Sequence, residues 1–321
     1  MVHRKLMTNK LNNIVVVGQG AMGLLWYHHL SQTDSPLHIN VTLFTSNQNS
    51  LSISELKSAK YQFTAYQQER TSEHSLSYSQ MADIKSADVI ILCLKSFHIV
   101  EVVKKIAKDI SSQCIVILAH NGMGTAEAAA KSLPSKQVML AMLTTHGCLR
   151  SAPLAITHTG LGQSDIGLIS GELDLSQQRQ LCSLLNNALP QVTYHQHIVQ
   201  KQWLKLAINC VINPITAINN IDNGEVNEKR FTKQIDSLLD EIIEISQAEE
   251  IDLVFDDLQA IVQKVAQSTA KNCSSMRSDV LAGRVTEIDY INGYIHRLGQ
   301  KYNIATPENT RLWQQVLNLK Y

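Results

Sequence analysis

The chain has 321 residues, of which 44% are hydrophobic and 17% are charged. This composition excludes an intrinsically disordered chain, and a length about twice that of a common domain predicts two globular domains. The 28 Lys and Arg residues balance the 28 Asp and Glu residues, and no run of basic residues is longer than two. We therefore expect no nucleic-acid or membrane partner, because both require clustered positive charge.

The cysteines and the apolar runs indicate the compartment. The six cysteines lie far apart and form no Cys-x-x-Cys pair, and several sit in apolar runs, which is typical of reduced, buried thiols. The basic segment 1–10 is not followed by the apolar stretch of a signal peptide, and no apolar run approaches the ~18 residues of a membrane span. The sequence thus predicts a cytoplasmic protein without a metal site.

The first predicted element is a β-branched strand over 14–17, which leads through a glycine-rich turn into a helix over 24–30. In a strand–turn–helix unit of this kind, one glycine makes the turn, the second lets backbone approach a pyrophosphate, and the third allows close packing, with the phosphates on the helix N-terminus. We therefore predict a dinucleotide site here; S-adenosylmethionine or a purely structural turn is the alternative. This glycine loop consists of Gly18, Gln19, Gly20, Ala21, Met22 and Gly23.

Uniformly apolar strands alternate with helices through the rest of the first half, which predicts a parallel sheet covered on both faces. Two later runs of alternating polarity, 155–159 and 165–169, predict antiparallel strands added at an edge of that sheet. The polar stretch between about 46 and 80 has no predicted element. The apolar strands are predicted over 40–45, 88–94, 114–118 and 138–145, with a helix over 99–110.

The second strand ends without an acidic residue. In dinucleotide-binding domains an Asp or Glu at this position accepts hydrogen bonds from a free ribose 2′-hydroxyl. Here the segment 43–48 reads Leu-Phe-Thr-Ser-Asn-Gln. The missing carboxylate removes a repulsive charge and leaves hydroxyl and amide donors, so NADP is favoured over NAD, although the turn contains no Arg.

Beyond about residue 196 the sequence predicts helices only, over 200–219, 231–248, 258–282 and 286–301, with a short one after Pro307. The predicted fold class is therefore α/β, with a Rossmann-type N-terminal dinucleotide-binding domain followed by an all-helical C-terminal domain. We expect an NADP-binding domain at 1–196 and a substrate and catalytic domain at 197–321.

A polar stripe marks the helix over 200–219. Lys205, Asn209 and Asn213 are spaced by four and share one face, whereas every other position from 204 to 212 is apolar. A helix that is apolar almost all round is buried, so its polar stripe must face partners or a cavity. In one interpretation the Lys reaches solvent and the amides cap loops. In the other, a desolvated Lys exchanges its proton near neutral pH and serves as a general acid for a carbonyl oxygen.

A second polar set follows. Asn272, Ser274 and Ser275 are predicted to lie within a helix, and the segment 286–289, Thr-Glu-Ile-Asp, resembles a capping box. Glu287 within it either stabilises the first turn of a helix or pairs with a buried Lys.

Together these residues resemble the ketopantoate reductase family of NADPH-dependent enzymes in the pantothenate pathway. The pattern Lys-x-x-x-Asn-x-x-x-Asn-Pro combined with Thr-Glu-Ile-Asp-Tyr is specific to it, whereas the glycine loop is shared by many families. The matching segments span nearly the whole chain: 18–23, 94–95, 120–125, 205–217, 223–224, 274–276, 286–293 and 307–310.

The resemblance implies that the chain reduces the C2 ketone of 2-dehydropantoate to pantoate. It implies two catalytic residues, Lys205 as the acid and Glu287 near the nicotinamide ribose. At Ser46 some family members carry an Arg on the 2′-phosphate, and this chain departs from them. The expected substrate-binding residues are Asn121, Lys205, Asn209, Asn213, Asn223, Asn272 and Ser275. Beside the glycine loop, the expected cofactor-binding residues are Ser46, Lys95, Asn121, Cys148 and Glu287.

Two other functions stay open at this point. One is a related two-domain NAD(P)-dependent dehydrogenase of another 2-oxo or 3-hydroxy acid. The other is a non-catalytic NADP-sensing protein, which would need the glycine loop but neither Lys205 nor Glu287. The expected partner is a small 2-oxo acid, and the sequence does not decide between a monomer and a homodimer.

Overall fold

The chain divides into two compact units, residues 1–120 with 126–198, and residues 121–125 with 199–321. A computed structural model describes residues 11–33, 39–45, 56 and 58–319. The strands of the described residues all lie in the first unit. They are β1 (Asn13–Val17), β2 (Asn40–Phe44), β3 (Lys60–Thr64), β4 (Thr71–Ser75), β5 (Val89–Leu92), β6 (Ile115–Leu118), β7 (Val138–Thr144), β8 (Gly147–Ala152), β9 (Ala155–Gly160), β10 (Ser164–Ser170) and β11 (Val192–Tyr194).

Seven of these strands form one sheet in the order β11-β10-β7-β6-β5-β1-β2. Five neighbouring strands of this sheet, β7, β6, β5, β1 and β2, pair in parallel. At the other edge, β10 pairs antiparallel to β7 and β11 pairs in parallel to β10. The predicted Rossmann-type sheet is thus confirmed, as is the antiparallel run at 165–169. The helices of this unit are α1 (Ala21–Ser31), α2 (Met81–Ser86), α3 (Ser96–Ile106), α4 (Ala126–Ala130) and α5 (Leu175–Ala188).

The helices cover both faces of the sheet. Since successive residues of a strand point to opposite sides, one strand contributes apolar side chains to both layers. On β1, Ile14 and Val16 belong to the apolar cluster that contains α1 and α5, whereas Val15 and Val17 belong to the cluster that contains α3. This arrangement explains why the strands read as continuous apolar runs.

A second, four-stranded sheet has the order β4-β3-β9-β8 and was not predicted. The expectation that 155–159 extends the main sheet is wrong, since β9 pairs antiparallel to β8 and parallel to β3. Alternating polarity shows that a strand has one buried face, but it does not reveal which sheet that face joins. On β3, Tyr61 and Phe63 supply the buried face.

Five histidines join this small sheet to α1: His28 and His29 from α1, His74 from β4, His146 from the turn before β8, and His158 from β9. The His28 ring stacks on Phe63 at 3.6 Å between centroids, and its Nδ1 lies 2.8 Å from the Tyr61 hydroxyl oxygen. His146 Nδ1 lies 3.3 Å from His158 Nε2. Burial is the main cause that lowers the pKa of His28 to about 3 and those of His29 and His146 to about 4. We call these five residues the histidine cluster.

The second unit is helical throughout its described residues, as predicted. Its helices are α6 (Ile198–Asn219), α7 (Thr232–Ala248), α8 (Phe255–Ser268), α9 (Ser275–Leu281), α10 (Asn292–Tyr302) and α11 (Pro307–Leu317). Short 3₁₀ turns lie at 223–227, 229–231 and 288–290. None of the helices in the described residues is long and apolar enough to cross a membrane.

Two helix predictions for this unit are wrong. The predicted helix over 258–282 is two helices, because the Ser274 side chain accepts a hydrogen bond from the Arg277 N–H and starts α9, so Asn272 and Ser274 lie before a helix rather than within one. The capping box at 286–289 does not start an α-helix, since only the 3₁₀ turn at 288–290 follows it and α10 begins at Asn292. The Asp289 carboxylate instead accepts the indole N–H of Trp313 at 2.6 Å.

Candidate active site

At two positions of the glycine loop, the folded backbone leaves no room for any side chain. Gly18 has a φ of +108°, and a Cβ on it would lie 2.5 Å from the Cys93 carbonyl oxygen. A Cβ on Gly23 would lie 1.8 Å from the Gly18 carbonyl oxygen. These positions account for the tight turn and for the close packing of α1 on β1.

Gly20 is different, because apart from Gly20 and its two chain neighbours no heavy atom of the described residues lies within 4 Å of the position its Cβ would take. The space in front of this residue is open, and it adjoins the start of α1. In the described helix no side chain caps that start, and no acidic residue lies in its first turn. A helix N-terminus attracts an anion, so the loop fits the pyrophosphate of a dinucleotide.

Strand β8 runs beside the loop. The Cys148 thiol donates to the Ala21 carbonyl oxygen at 3.4 Å, and Arg150 Nη1 donates to the Gln19 carbonyl oxygen at 3.5 Å. Burial raises the pKa of Cys148 to about 12, so the thiol stays protonated and is not a nucleophile at neutral pH. The hydroxyl of Tyr78 also reaches the loop, 3.4 Å from Gln19 Oε1.

Two further predicted cofactor residues belong to this unit. Lys95 follows β5 and is the N-cap residue of α3. Because β1 and β5 are parallel neighbours, with Val17 opposite Leu92, the glycine loop and Lys95 lie at the same edge of the sheet. Ser46 lies outside the described residues.

The predicted polar stripe lies on α6. Lys205 and Asn209 are half-buried and Asn213 is buried, while apolar neighbours such as Leu206 and Val211 are buried. Sequence reasoning missed one further member, Thr216, which on an ideal helix lies only about 20° around the axis from Lys205. Its hydroxyl contacts that of Ser274 at 2.7 Å, which ties the stripe to the start of α9.

Pro214 lies inside α6, directly after Asn213 of this stripe. Proline has no N–H, so the Cys210 carbonyl oxygen lacks its usual helical donor. Asn292 Nδ2 replaces that donor at 3.0 Å, and it also donates to Asn309 Oδ1 at 3.0 Å. Asn309 in turn donates to the Glu241 carboxylate from its backbone N–H and its side-chain amide. We call Asn292, Asn309 and Glu241 the amide network.

The second polar set is only partly buried. Glu287 is buried, whereas Asn272 and Ser275 are exposed. Asn223 is buried, and its side-chain amide donates to the Thr269 hydroxyl at 3.0 Å. Its backbone N–H donates to the Asn272 carbonyl oxygen, which brings these two predicted residues together.

Asn121 belongs to the second unit although it follows β6 in the chain. The segment that follows Asn121 binds to this unit, because the Met123 N–H donates to the Tyr290 carbonyl oxygen at 2.8 Å. A Cβ on Gly122, which has a φ of +82°, would lie 2.6 Å from that same oxygen. Asn121 is therefore held next to the 3₁₀ turn that follows Glu287. The Gly-Met-Gly sequence after Asn121 is the only local signal of such a close approach.

The described residues contain no group of three or more His, Cys, Asp or Glu side chains placed to hold a metal ion. The first unit thus carries a glycine loop with an open helix N-terminus. The second unit, taken by itself, carries a Lys–Asn–Asn stripe, buried amides and a buried carboxylate.

Comparison with known proteins identifies the family. Residues 14–171 match the family model "Ketopantoate reductase PanE/ApbA", and residues 197–320 match its C-terminal companion. The chain is 35% identical over 96% of its length to 2-dehydropantoate 2-reductase of Vibrio cholerae, covering 98% of that protein. It is 32% identical over 94% of its length to the protein of the same name from Yersinia pestis, covering 93% of it.

Solved structures share the fold at lower identity. A ketopantoate reductase of the PanE/ApbA family from Ralstonia eutropha superposes with a TM-score of 0.81 at 22% identity, over 95% of this chain and 98% of that one. D-mandelate dehydrogenase, solved with NADH and anilino(oxo)acetate, superposes with a TM-score of 0.83 at 22% identity, over 95% and 97% of the two chains. The matches over both halves of the sequence show that the chain belongs to the ketopantoate reductase family and is an oxidoreductase of that kind.

Proposed function

We propose that this protein reduces the C2 ketone of 2-dehydropantoate to pantoate with NADPH, a step of pantothenate biosynthesis. The observation that carries the proposal is the Lys205–Asn209–Asn213 stripe, in a chain 35% identical over 96% of its length to a protein named 2-dehydropantoate 2-reductase. A sensor of NADP would need no such stripe.

The first unit is proposed to hold the cofactor. Open space at Gly20 and the uncapped start of α1 support binding of the pyrophosphate there. Lys95 supplies a positive charge at the same edge of the sheet, and Cys148 supports the loop as a neutral thiol. When bound, the nicotinamide supplies the hydride.

The second unit is proposed to hold the substrate and to supply the proton. Reduction of the ketone creates negative charge on its oxygen, and Lys205 donates a proton to that oxygen while its ammonium group stabilises the developing charge. Asn209 and Asn213 orient the substrate through neutral hydrogen bonds, because an additional carboxylate would repel a 2-oxo acid. We propose Asn121, Asn223, Asn272 and Ser275 as further substrate contacts, and Glu287 as a contact of the nicotinamide ribose.

Steady-state oxidation of NADPH with a panel of 2-oxo acids tests this proposal. The panel contains 2-dehydropantoate and three other 2-oxo acids. They are 3,3-dimethyl-2-oxobutanoate, which lacks only the terminal hydroxyl, 2-oxoisovalerate, which lacks the whole hydroxymethyl group, and benzoylformate. We expect kcat/KM to be at least about 100-fold higher with 2-dehydropantoate, since loss of the hydrogen-bonded hydroxyl leaves polar groups of the site unpaired. A preference for benzoylformate would instead indicate a related 2-oxo acid dehydrogenase. NADPH binding without turnover of any substrate would indicate a sensor.

A further inference from the structure

Two side chains of strand β8, two residues apart, donate hydrogen bonds to the glycine loop. Cys148 contacts Ala21, where α1 begins, and Arg150 contacts Gln19, one residue after the turn glycine. Alternate residues of a strand point to the same face, so both side chains leave β8 on the side that faces the loop. Arg150 therefore lies at the strand end of the loop and Cys148 at its helix end.

The strand end of the loop adjoins the end of β2. The Gly18 N–H donates to the Phe44 carbonyl oxygen at 2.9 Å, and Gln19 follows directly. In dinucleotide-binding domains the end of the second strand recognises the ribose 2′ position, through a carboxylate for a hydroxyl or an Arg for a phosphate. Phe44 and Thr45 are the last described residues there, and neither carries a charge.

Arg150 carries the positive charge that Phe44 and Thr45 lack. Its side chain is exposed, and within the part of the chain that the structure describes it makes no ion pair. Other arginines, such as Arg277 and Arg284, are held by carboxylates. A planar guanidinium with several available N–H groups binds a phosphate through two parallel hydrogen bonds.

We propose that Arg150 binds the 2′-phosphate of NADPH and is the residue that makes the protein prefer NADPH to NADH. The proposal rests on the proposed use of NADPH. It assigns this role to β8, which lies about a hundred residues further along the chain than the end of β2.

Calorimetric binding of adenosine 2′,5′-bisphosphate and of AMP, which differ only in the 2′-phosphate, tests the assignment without catalysis. The variants are Arg150→Gln, Arg150→Lys and, as a control with the same loss of charge, Arg179→Gln on the exposed surface of α5. We expect Arg150→Gln to weaken the bisphosphate at least about 10-fold and AMP less than about twofold, as loss of a charge-assisted hydrogen bond predicts. Arg150→Lys should be intermediate, and Arg179→Gln should leave both constants unchanged.

Equal weakening of both ligands by Arg150→Gln would overturn the assignment, because it would indicate a contact to the pyrophosphate or a structural role. No weakening of either ligand would overturn it as well. The parent protein separates this outcome from failure of the proposed function. If the parent binds NADPH no tighter than NADH, the use of NADPH fails and the assignment fails with it. If the parent prefers NADPH and Arg150→Gln keeps that preference, only the assignment fails.

Discussion

The substitution Asn292→Ala should destabilise the second unit more than any exposed Asn substitution. Asn292 is fully buried, and its amide donates to the Cys210 carbonyl oxygen and to Asn309 Oδ1. The substitution leaves both buried acceptors without a donor, and each unpaired buried group costs about 1–3 kcal/mol. The two losses sum to about 2–6 kcal/mol of unfolding free energy.

A second substitution isolates the contribution of the Cys210 carbonyl. In Pro214→Ala the new backbone N–H can donate to this oxygen, as in an uninterrupted helix. In the Asn292→Ala background, Pro214→Ala should therefore raise the free energy of unfolding by about 1–2 kcal/mol more than it does in the parent. The reason is that the new N–H satisfies one of the two acceptors that Asn292→Ala leaves without a donor. Such a double-mutant cycle measures the interaction rather than the separate effects.

Urea unfolding followed by circular dichroism gives the four free energies of the cycle, with Asn318→Ala, at an exposed position after α11, as the control. The control should change the unfolding free energy by less than about 0.5 kcal/mol. Additive effects of Pro214→Ala and Asn292→Ala would show that Asn292 does not act as the substitute donor for the Cys210 carbonyl oxygen.

Two further outcomes follow from the first unit. The folded state lowers the pKa of His28 to about 3 and of His29 to about 4, so neutral histidines contribute stability that is complete above their ordinary value of 6.5 and is lost as pH falls towards 4. The urea midpoint should therefore drop between pH 7 and pH 5, and less so in His29→Leu; equal drops would argue against the histidine cluster as the cause. Gly20→Ala should fold with the parent's melting temperature yet bind AMP at least about 10-fold more weakly, whereas Gly18→Ala should unfold more easily. Normal AMP binding by Gly20→Ala would show that the open space at this residue holds no phosphate.

Sequence patterns predicted those parts of the fold that short-range physics determines. Strands β5 and β6 are uniformly apolar, and β1 is apolar after Asn13, because both faces of these strands are buried. The change to a helical period marks α6 clearly. Strand β4 could not be found in this way, since its residues Thr71–Ser75 are largely exposed and carry no apolar alternation. The break between α8 and α9 combines the local Ser274 cap with tertiary backbone contacts, such as the Gly224 N–H with the Ala270 carbonyl oxygen, that no local pattern records.

The candidate site likewise combines features that local sequence patterns show with contacts that they do not show. The four-residue spacing alone located Lys205, Asn209 and Asn213, and extending the same face would have found Thr216. The sequence also shows Pro214 directly after Asn213, but it does not show which donor satisfies the Cys210 carbonyl. That donor, Asn292, is 82 residues away and is brought there only by the packing of α10 on its neighbours.

Under the proposed function, Lys205 supplies the proton when 2-dehydropantoate is reduced. Single-turnover oxidation of NADPH at saturating substrate measures this step directly, for the parent, for Lys205→Ala and for the control Lys264→Ala on the exposed face of α8. We expect Lys205→Ala to lower the rate by about 10²–10⁴ while its melting temperature and NADPH binding stay near those of the parent. Lys264→Ala should change neither rate nor stability. A folded Lys205→Ala protein that keeps more than half of the parent rate would contradict this role of Lys205.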